Sequence, residues 1–303
     1  MTSVNYQFIL SMLIVVLGFF LKKIKLIDIK DGQSLARIIF NITLPSLILY
    51  TFSTIKLDYS LILVTVIVFL YGTLMTGAAL FIFRKEPRKI RGMLSMLLPA
   101  FNVGLFAYPL VQSIWGPEGV KYFAMFELGN AIPLYALCYL IGSYFSTDEA
   151  KLDYNSVLKK LRKSIPLLAC IVSITFNLAG LHLPDAVIDL AQIIEGANKP
   201  LALLLLGVYL DFNIDSEHLK SMIKLLGIRY AAGLTVGFAL FFLLPLGELF
   251  RYTMLIGFIL PIPSAILAYT VKYEYDEMYV GSITNLNTVI SFLLIWCIIA
   301  FAK

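Results

Sequence analysis

Twenty-four consecutive residues, Ser60 to Phe83, carry no charged side chain, and runs of this kind recur along almost the whole chain. About 20 apolar residues are what a helix needs to cross a hydrocarbon core of roughly 30 Å. No water completes backbone hydrogen bonds inside that core, so helices, which satisfy their own backbone, are the expected elements. Candidate spans fall at 5–21, 33–54, 59–83, 91–113, 119–145, 164–180, 186–210, 220–246, 252–271 and 278–301. The fold class expected is an all-α polytopic membrane protein with ten transmembrane helices. With 60% hydrophobic and 14% charged residues in 303, a soluble domain is excluded. The longest polar stretch, Ser146 to Ser164, is too short to be a domain of its own.

The lysines and arginines orient the chain. One set of alternate loops holds 17 of them, including Lys22, Lys23, Arg88, Arg91, Lys159, Lys160, Arg162 and Lys163. The opposite set holds four: Lys56, Lys121, Arg251 and Lys303. Arg37, Lys199 and Arg229 fall within or at the edges of spans. Basic loops stay in the cytoplasm, so both termini are expected outside a cell (inner or plasma) membrane. The net charge of +5 then reflects topology and calls for no nucleic-acid partner. The first span is read as a retained helix, because no small-residue cleavage site precedes Lys22-Lys23. Cys138, Cys170 and Cys297 lie within spans, and His182 and His218 are isolated in loops, so neither a disulfide framework, a metal site nor a cofactor is suggested.

The chain also repeats itself. Setting Ser34–Leu49 over Asp189–Leu204, 155 positions later, aligns Leu35, Ala36, Ile38, Ile39, Pro45 and Leu49 with identical residues. Apolar coincidences are common in membrane proteins, but a coincident mid-span proline is not. Ten spans divide as five plus five around a cytoplasmic connector at 146–163, within which Val157 to Leu161 suits a short interfacial helix. Five is odd, so the second half (164–303) must enter from the side opposite the first (1–145). Such an inverted repeat is a transporter architecture with its substrate site between the copies.

The repeat locates the backbone breaks. At an offset of 161, Ala107-Tyr108 falls on Ala268-Tyr269 and Asn102 on Pro263. Span four contains Pro99, Asn102, Gly104 and Pro109, and span nine contains Pro261 and Pro263. A proline removes an amide hydrogen and clashes with the preceding turn, so both spans should be broken and cross near the midplane. Broken backbone survives at that depth only when buried in protein or lining a wet cavity. Each second half-helix then offers unpaired amides and about half a positive charge, an anion site. Asn102, Gly104, Pro261, Pro263 and Ser264 are the candidate substrate-binding residues. Asn102 also suits a cap on the broken helix end.

Charges within spans default to functional candidates. Glu127, in the span after the first break, is either a proton carrier or a residue near the outer interface. Asn130, Asn285 and Asn287 are further polar candidates for a coupling ion, but they share no single repeat offset. Glu195 and Lys199, four apart, should share a helix face and neutralise each other. Arg37 should snorkel to the interface.

Together these segments resemble the auxin efflux carrier family over nearly the whole chain. The resemblance rests on FNITLPSLILYTFS in span two, NVGLFAYPLVQSIWGPEGVKYFAMFELGN from Asn102 to Asn130, KPLALLLLGVYL in span seven, and LPIPSAILAYTVKYEYD in span nine. It implies the ten-helix inverted repeat also seen in relatives of bile-acid sodium symporters. Transport spans (58–145 and 216–303) would move against scaffold spans (1–57 and 164–212), often as a homodimer through the scaffold. It further implies a small organic anion as substrate, a mono- or dicarboxylate, with Asn102 matching the family's substrate-contacting asparagine and Pro261 and Pro263 its crossover prolines. Phe101 stands where plant members have a proline, and their large cytoplasmic loop is missing.

The leading function is therefore a secondary carrier of efflux type, working by elevator-like alternating access with proton coupling as an option. The first alternative is a sodium-coupled symporter of the bile-acid type, for which Asn285, Asn287 and Thr288 would have to supply ligands. An intramembrane enzyme is disfavoured, since no span carries a histidine and no HExxH or GxSxG occurs.

Overall fold

A computed structural model describes residues 3–54, 59–146, 154–211 and 218–301. Lys56, Lys151, Lys303, connector residues 147–153 and the unit boundaries at 57–58 and 212–216 lie outside the described residues. The described chain is helical throughout, without a strand.

The first half runs through α1 (Ser3–Lys23), α2 (Ile29–Ile38), a π-helical turn (Ile39–Thr43), α3 (Leu44–Thr54), α4 (Tyr59–Ile82) and α5 (Arg88–Met96). After a non-helical stretch, a second π turn (Val103–Ala107) opens into α6 (Tyr108–Ile132), then a third (Pro133–Cys138) and α7 (Tyr139–Ser146). The connector contributes α8 (Tyr154–Lys163), longer than the short helix expected there. The second half holds α9 (Ile165–Leu178), α10 (Asp185–Glu195), α11 (Asn198–Tyr209), α12 (Leu219–Leu243), α13 (Glu248–Gly257), α14 (Ala265–Lys272) and α15 (Glu277–Phe301).

Six helical segments among the described residues are long and apolar enough to cross a membrane, or seven if α8 and α9, bent by 68°, form one span. Ten spans were expected, with four and nine broken; fewer qualify because spans four, seven and nine are divided and α9, where span six was expected, is 14 residues long. Span seven divides into α10 and α11, and span nine into α13 and α14. Span four divides into α5 and the start of the 44-residue segment Val103–Ser146, which also holds span five. That segment turns at Gly116, whose φ of +60° and ψ of −146° leave the helical region. The left-handed side of the map costs a glycine nothing, and Pro117 starts the next helix with no amide to satisfy.

The two stretches aligned at 155 positions also touch. Thr43 Oγ1 donates to Asn198 Oδ1 at 2.9 Å, both buried, and these two residues are themselves 155 apart. Thr43 closes the π-helical turn inside the unbroken helix Ile29–Thr54 and Asn198 starts α11, each two residues before the coincident proline. Pro200 lies in the first turn of α11, where a missing amide hydrogen is harmless.

Helix α1 packs along α11, and α3 lies against α9 and α10. The α1–α11 contact is close because Gly18 and Gly207 carry no side chain: a Cβ on Gly18 would lie 2.1 Å from the Leu204 carbonyl oxygen, and one on Gly207 1.9 Å from that of Val15. Helices α4 and α13 pack against α6, α5 against α7, α12 against α13, and α14 against α15.

Candidate functional site at the meeting of the broken helices

After α5 ends, residues 97–102 run without regular helix until the turn beginning at Val103, and residues 260–263 do the same between α13 and α14. Pro99 and the pair Pro261 and Pro263 fall inside these stretches, where they remove amides and block helical continuation. The expected breaks are thus where the sequence puts them. They also join: the Asn102 backbone N–H donates to the Pro261 carbonyl at 2.8 Å.

Asn102 caps the second segment, its Oδ1 accepting from the Leu105 amide at 3.3 Å. That leaves its side-chain nitrogen with no partner among the described residues. Ser264 takes the equivalent place before α14 but makes no side-chain capping bond. Asn102, Val103 and Gly104 on one segment, and Pro263, Ser264 and Ala265 on the other, line a single cavity of about 930 Å³. Pro261 lies behind this wall, at the bond between the segments. Gly104 has a packing reason as well, since a Cβ there would come within 2.7 Å of the Phe40 ring.

Two of the asparagines considered for a coupling ion bond the backbone of the breaks. Asn130 Oδ1 accepts from the Phe101 amide at 3.0 Å while its Nδ2 donates to the Phe101 carbonyl at 2.9 Å. Asn287 Oδ1 accepts from the Ile262 amide at 2.7 Å, and its Nδ2 donates to the Tyr230 hydroxyl. Phe101 and Ile262 are 161 apart and Asn130 and Asn287 are 157 apart, so the two asparagines do equivalent work at shifted offsets. The Asn130 amide bonds the Phe101 backbone and the Glu127 carboxylate, and the Asn287 amide bonds the Ile262 backbone and the Tyr230 side chain. Asn285 is also committed, accepting from the Asp211 amide at 3.1 Å and donating to the Gly281 carbonyl at 3.0 Å.

Glu127 lies on the cavity wall, one turn before Asn130, which donates to its Oε2 at 3.1 Å. Behind the helix starts, Tyr108 and Tyr269 also line the cavity, and their buried hydroxyls have no hydrogen-bond partner among the described residues. They are the Ala-Tyr pair that coincided at 161 positions, a signal read only as evidence of repetition. Lys22, Lys159, Lys160 and Lys163 also line the cavity, all from the basic loop set. Lys160 rests over the rings of Tyr269 and Tyr139, at 4.1 and 4.6 Å from their centroids.

The expected neutralisation of Glu195 by Lys199 does not form. The helix ends at Glu195 and resumes at Asn198, so a spacing of four no longer brings the two side chains together. Glu195 accepts instead from Gln112 Nε2 at 2.7 Å. Arg37 donates to Ser34 Oγ at 2.9 Å on an exposed face. No cluster of metal-ligating side chains occurs among the described residues.

A family model described as membrane transport protein matches residues 7–299. This chain belongs to that family. It is the auxin efflux carrier family that the motifs of spans two, four, seven and nine resembled. Two archaeal relatives cover almost the whole length of this family member. One is an uncharacterized transporter of Methanothermobacter thermautotrophicus, 27% identical over 96% of this chain and 97% of its own. The other is the uncharacterized transporter MJ1031 of Methanocaldococcus jannaschii, 24% identical over 95% of each chain. The carrier is thus a multi-pass membrane protein of a transporter family.

Proposed function

We propose that this carrier moves a small organic anion, a mono- or dicarboxylate, across the cell membrane by alternating access. One observation carries the reading: two helix starts, at Val103 and Ala265, face one cavity and are tied together by the bond from Asn102 to Pro261. Each start contributes about half a positive charge and unpaired amides. Side chains that could add to this at the wall are the free nitrogen of Asn102 and the hydroxyl of Ser264.

The halves 1–145 and 164–303 would form an inverted repeat of ten spans with both termini outside. The order of elements, the contact of Thr43 with Asn198 and the matching breaks support that arrangement. The basic residues around the cavity would then mark an inward-facing state. Residues 58–145 and 216–303 would travel against 1–57 and 164–212, and Glu127, on the cavity wall, would carry a coupled proton.

A panel of mono- and dicarboxylates should contain at least one that raises the melting temperature of the purified protein saturably, because a ligand of the folded state stabilises it. Asn102→Ala should weaken that ligand about tenfold or more while leaving the ligand-free melting temperature within a few degrees, since a hydrogen bond to a charged group is worth roughly 1.5–3 kcal/mol. A panel without a hit, or unchanged affinity in the variant, defeats the assigned site. Glu127→Gln should retain binding yet make uptake into proteoliposomes indifferent to a pH gradient. An unchanged response to the gradient would remove Glu127 from the coupling role.

A further inference from the structure

Arg229 lies in the middle of α12, is 1% exposed and is the largest fully buried side chain among the described residues. Among the described residues no carboxylate pairs with its guanidinium. It donates instead to four backbone carbonyls: Nη1 to Leu97 at 3.1 Å and Leu98 at 2.7 Å, Nη2 to Ala100 at 2.7 Å and Leu260 at 3.0 Å. Three of these follow the end of α5 and the fourth follows the end of α13, so one cation holds the trailing ends of both broken helices. The Phe101 ring closes one side, its centroid 4.7 Å from the guanidinium carbon.

We propose that Arg229 is a resident cation at the crossing, a positioning residue that holds the place a mobile monovalent cation would otherwise take. A buried charge without a counter-ion is costly unless dipoles compensate it. Here each helix end supplies about half a negative charge, and two such ends balance one guanidinium. The arithmetic has a consequence on the opposite side of the crossing. With the trailing ends neutralised, the two leading ends at Val103 and Ala265 keep about one positive charge between them, the complement of one carboxylate. Oxygens near the crossing that could serve sodium already accept hydrogen bonds: the four carbonyls from Arg229, Asn285 Oδ1 from the Asp211 amide and Asn287 Oδ1 from the Ile262 amide. The cation site stands on this geometry alone; its meaning for coupling, transport without sodium, rests on the carrier reading.

The test needs no substrate, so its failure and that of the carboxylate panel are separable. Melting temperatures of the purified full-length protein are measured in sodium chloride, choline chloride and methylguanidinium chloride at equal ionic strength. The wild type should show no saturable preference for sodium over choline. Arg229→Ala should melt lower by about 5 °C or more and recover part of that loss saturably with millimolar methylguanidinium, but not with choline. A merely space-filling role would give no such selectivity among cations. Saturable stabilisation of the wild type by sodium overturns the proposal, as does a folded Arg229→Ala protein that ignores methylguanidinium. If the alanine variant does not fold, Arg229→Lys takes its place. Lysine keeps the charge but has three donors and no planar fork, so it should fold, melt below wild type and stay indifferent to sodium. A lysine variant as stable as wild type overturns the proposal.

Discussion

An asparagine can accept and donate at once, and Asn130 does both with the backbone of Phe101 while also donating to Glu127. Water is not available there to replace it, since both residues are buried. Removing the side chain leaves a buried amide and a buried carbonyl unpaired, each worth about 1–3 kcal/mol. Asn130→Leu should therefore lower the unfolding free energy by roughly 2–4 kcal/mol, read in denaturant or by melting. Asn287→Leu strands the Ile262 amide but leaves the Tyr230 hydroxyl with the residue-287 carbonyl and Ser291, and should cost less, about 1–3 kcal/mol. The comparison separates structure from ligand contact: both variants should lose stability before they lose affinity. A variant that melts like wild type but no longer binds carboxylate would return these asparagines to the substrate. Their role was hidden in the sequence for a simple reason. The offset between halves is 161 at the breaks and 157 in the following spans, so a search at one offset misses the pair. Arg229 was hidden differently, as an arginine at the edge of an apolar run looks like any interfacial cation until its four carbonyls are seen.

Helices break where local chemistry forbids continuation, and most of those places could be read directly. Pro99, Pro261 and Pro263 lack the hydrogen that a helix interior needs, so the positions of the crossing were legible. The turn that closes α10 was not. Gly196 and Ala197 are no stronger a stop than residues found inside other helices of this chain, and the separation of Glu195 from Lys199 followed from that unseen break. Close packing was equally silent, because Gly18 and Gly207 read as ordinary small residues within apolar runs. Their role makes a sharp prediction at this scale. A methyl group on Gly207 would overlap the Val15 carbonyl, which belongs to the backbone and cannot rotate away. Gly207→Ala should cost about 1–3 kcal/mol by prising α1 from α11, while Gly281→Ala, with open space around its Cβ, should be neutral or slightly stabilising. Equal melting temperatures for the two variants would contradict the packing described.

Across the whole molecule charge is distributed unevenly, and the cavity concentrates it. Lys22 at the end of α1 and Lys159, Lys160 and Lys163 on α8 all border the space that reaches Asn102 and Ser264. Helix α8 belongs to neither half, so the connector supplies most of the positive lining. The sequence showed the connector as basic, and used that only to orient the chain; nothing in it said that this helix would stand beside the crossing. A cavity walled by low-dielectric protein focuses such a field and raises the local concentration of anions. The lysines differ in role. Lys160 is held on two tyrosine rings, whereas Lys159 and Lys163 have no such contact and suit long-range attraction. Replacing both by glutamine should leave folding intact and weaken a carboxylate ligand severalfold at low ionic strength. Attraction of this kind is screened, with a Debye length of about 10 Å at 0.1 M salt and about 3 Å at 1 M. The gap between wild type and the double variant should therefore close as salt rises, while the loss caused by Asn102→Ala, a contact at the wall, should persist. A salt-independent gap would mean that Lys159 or Lys163 touches the bound anion directly, and the site would then extend from the crossing to the connector.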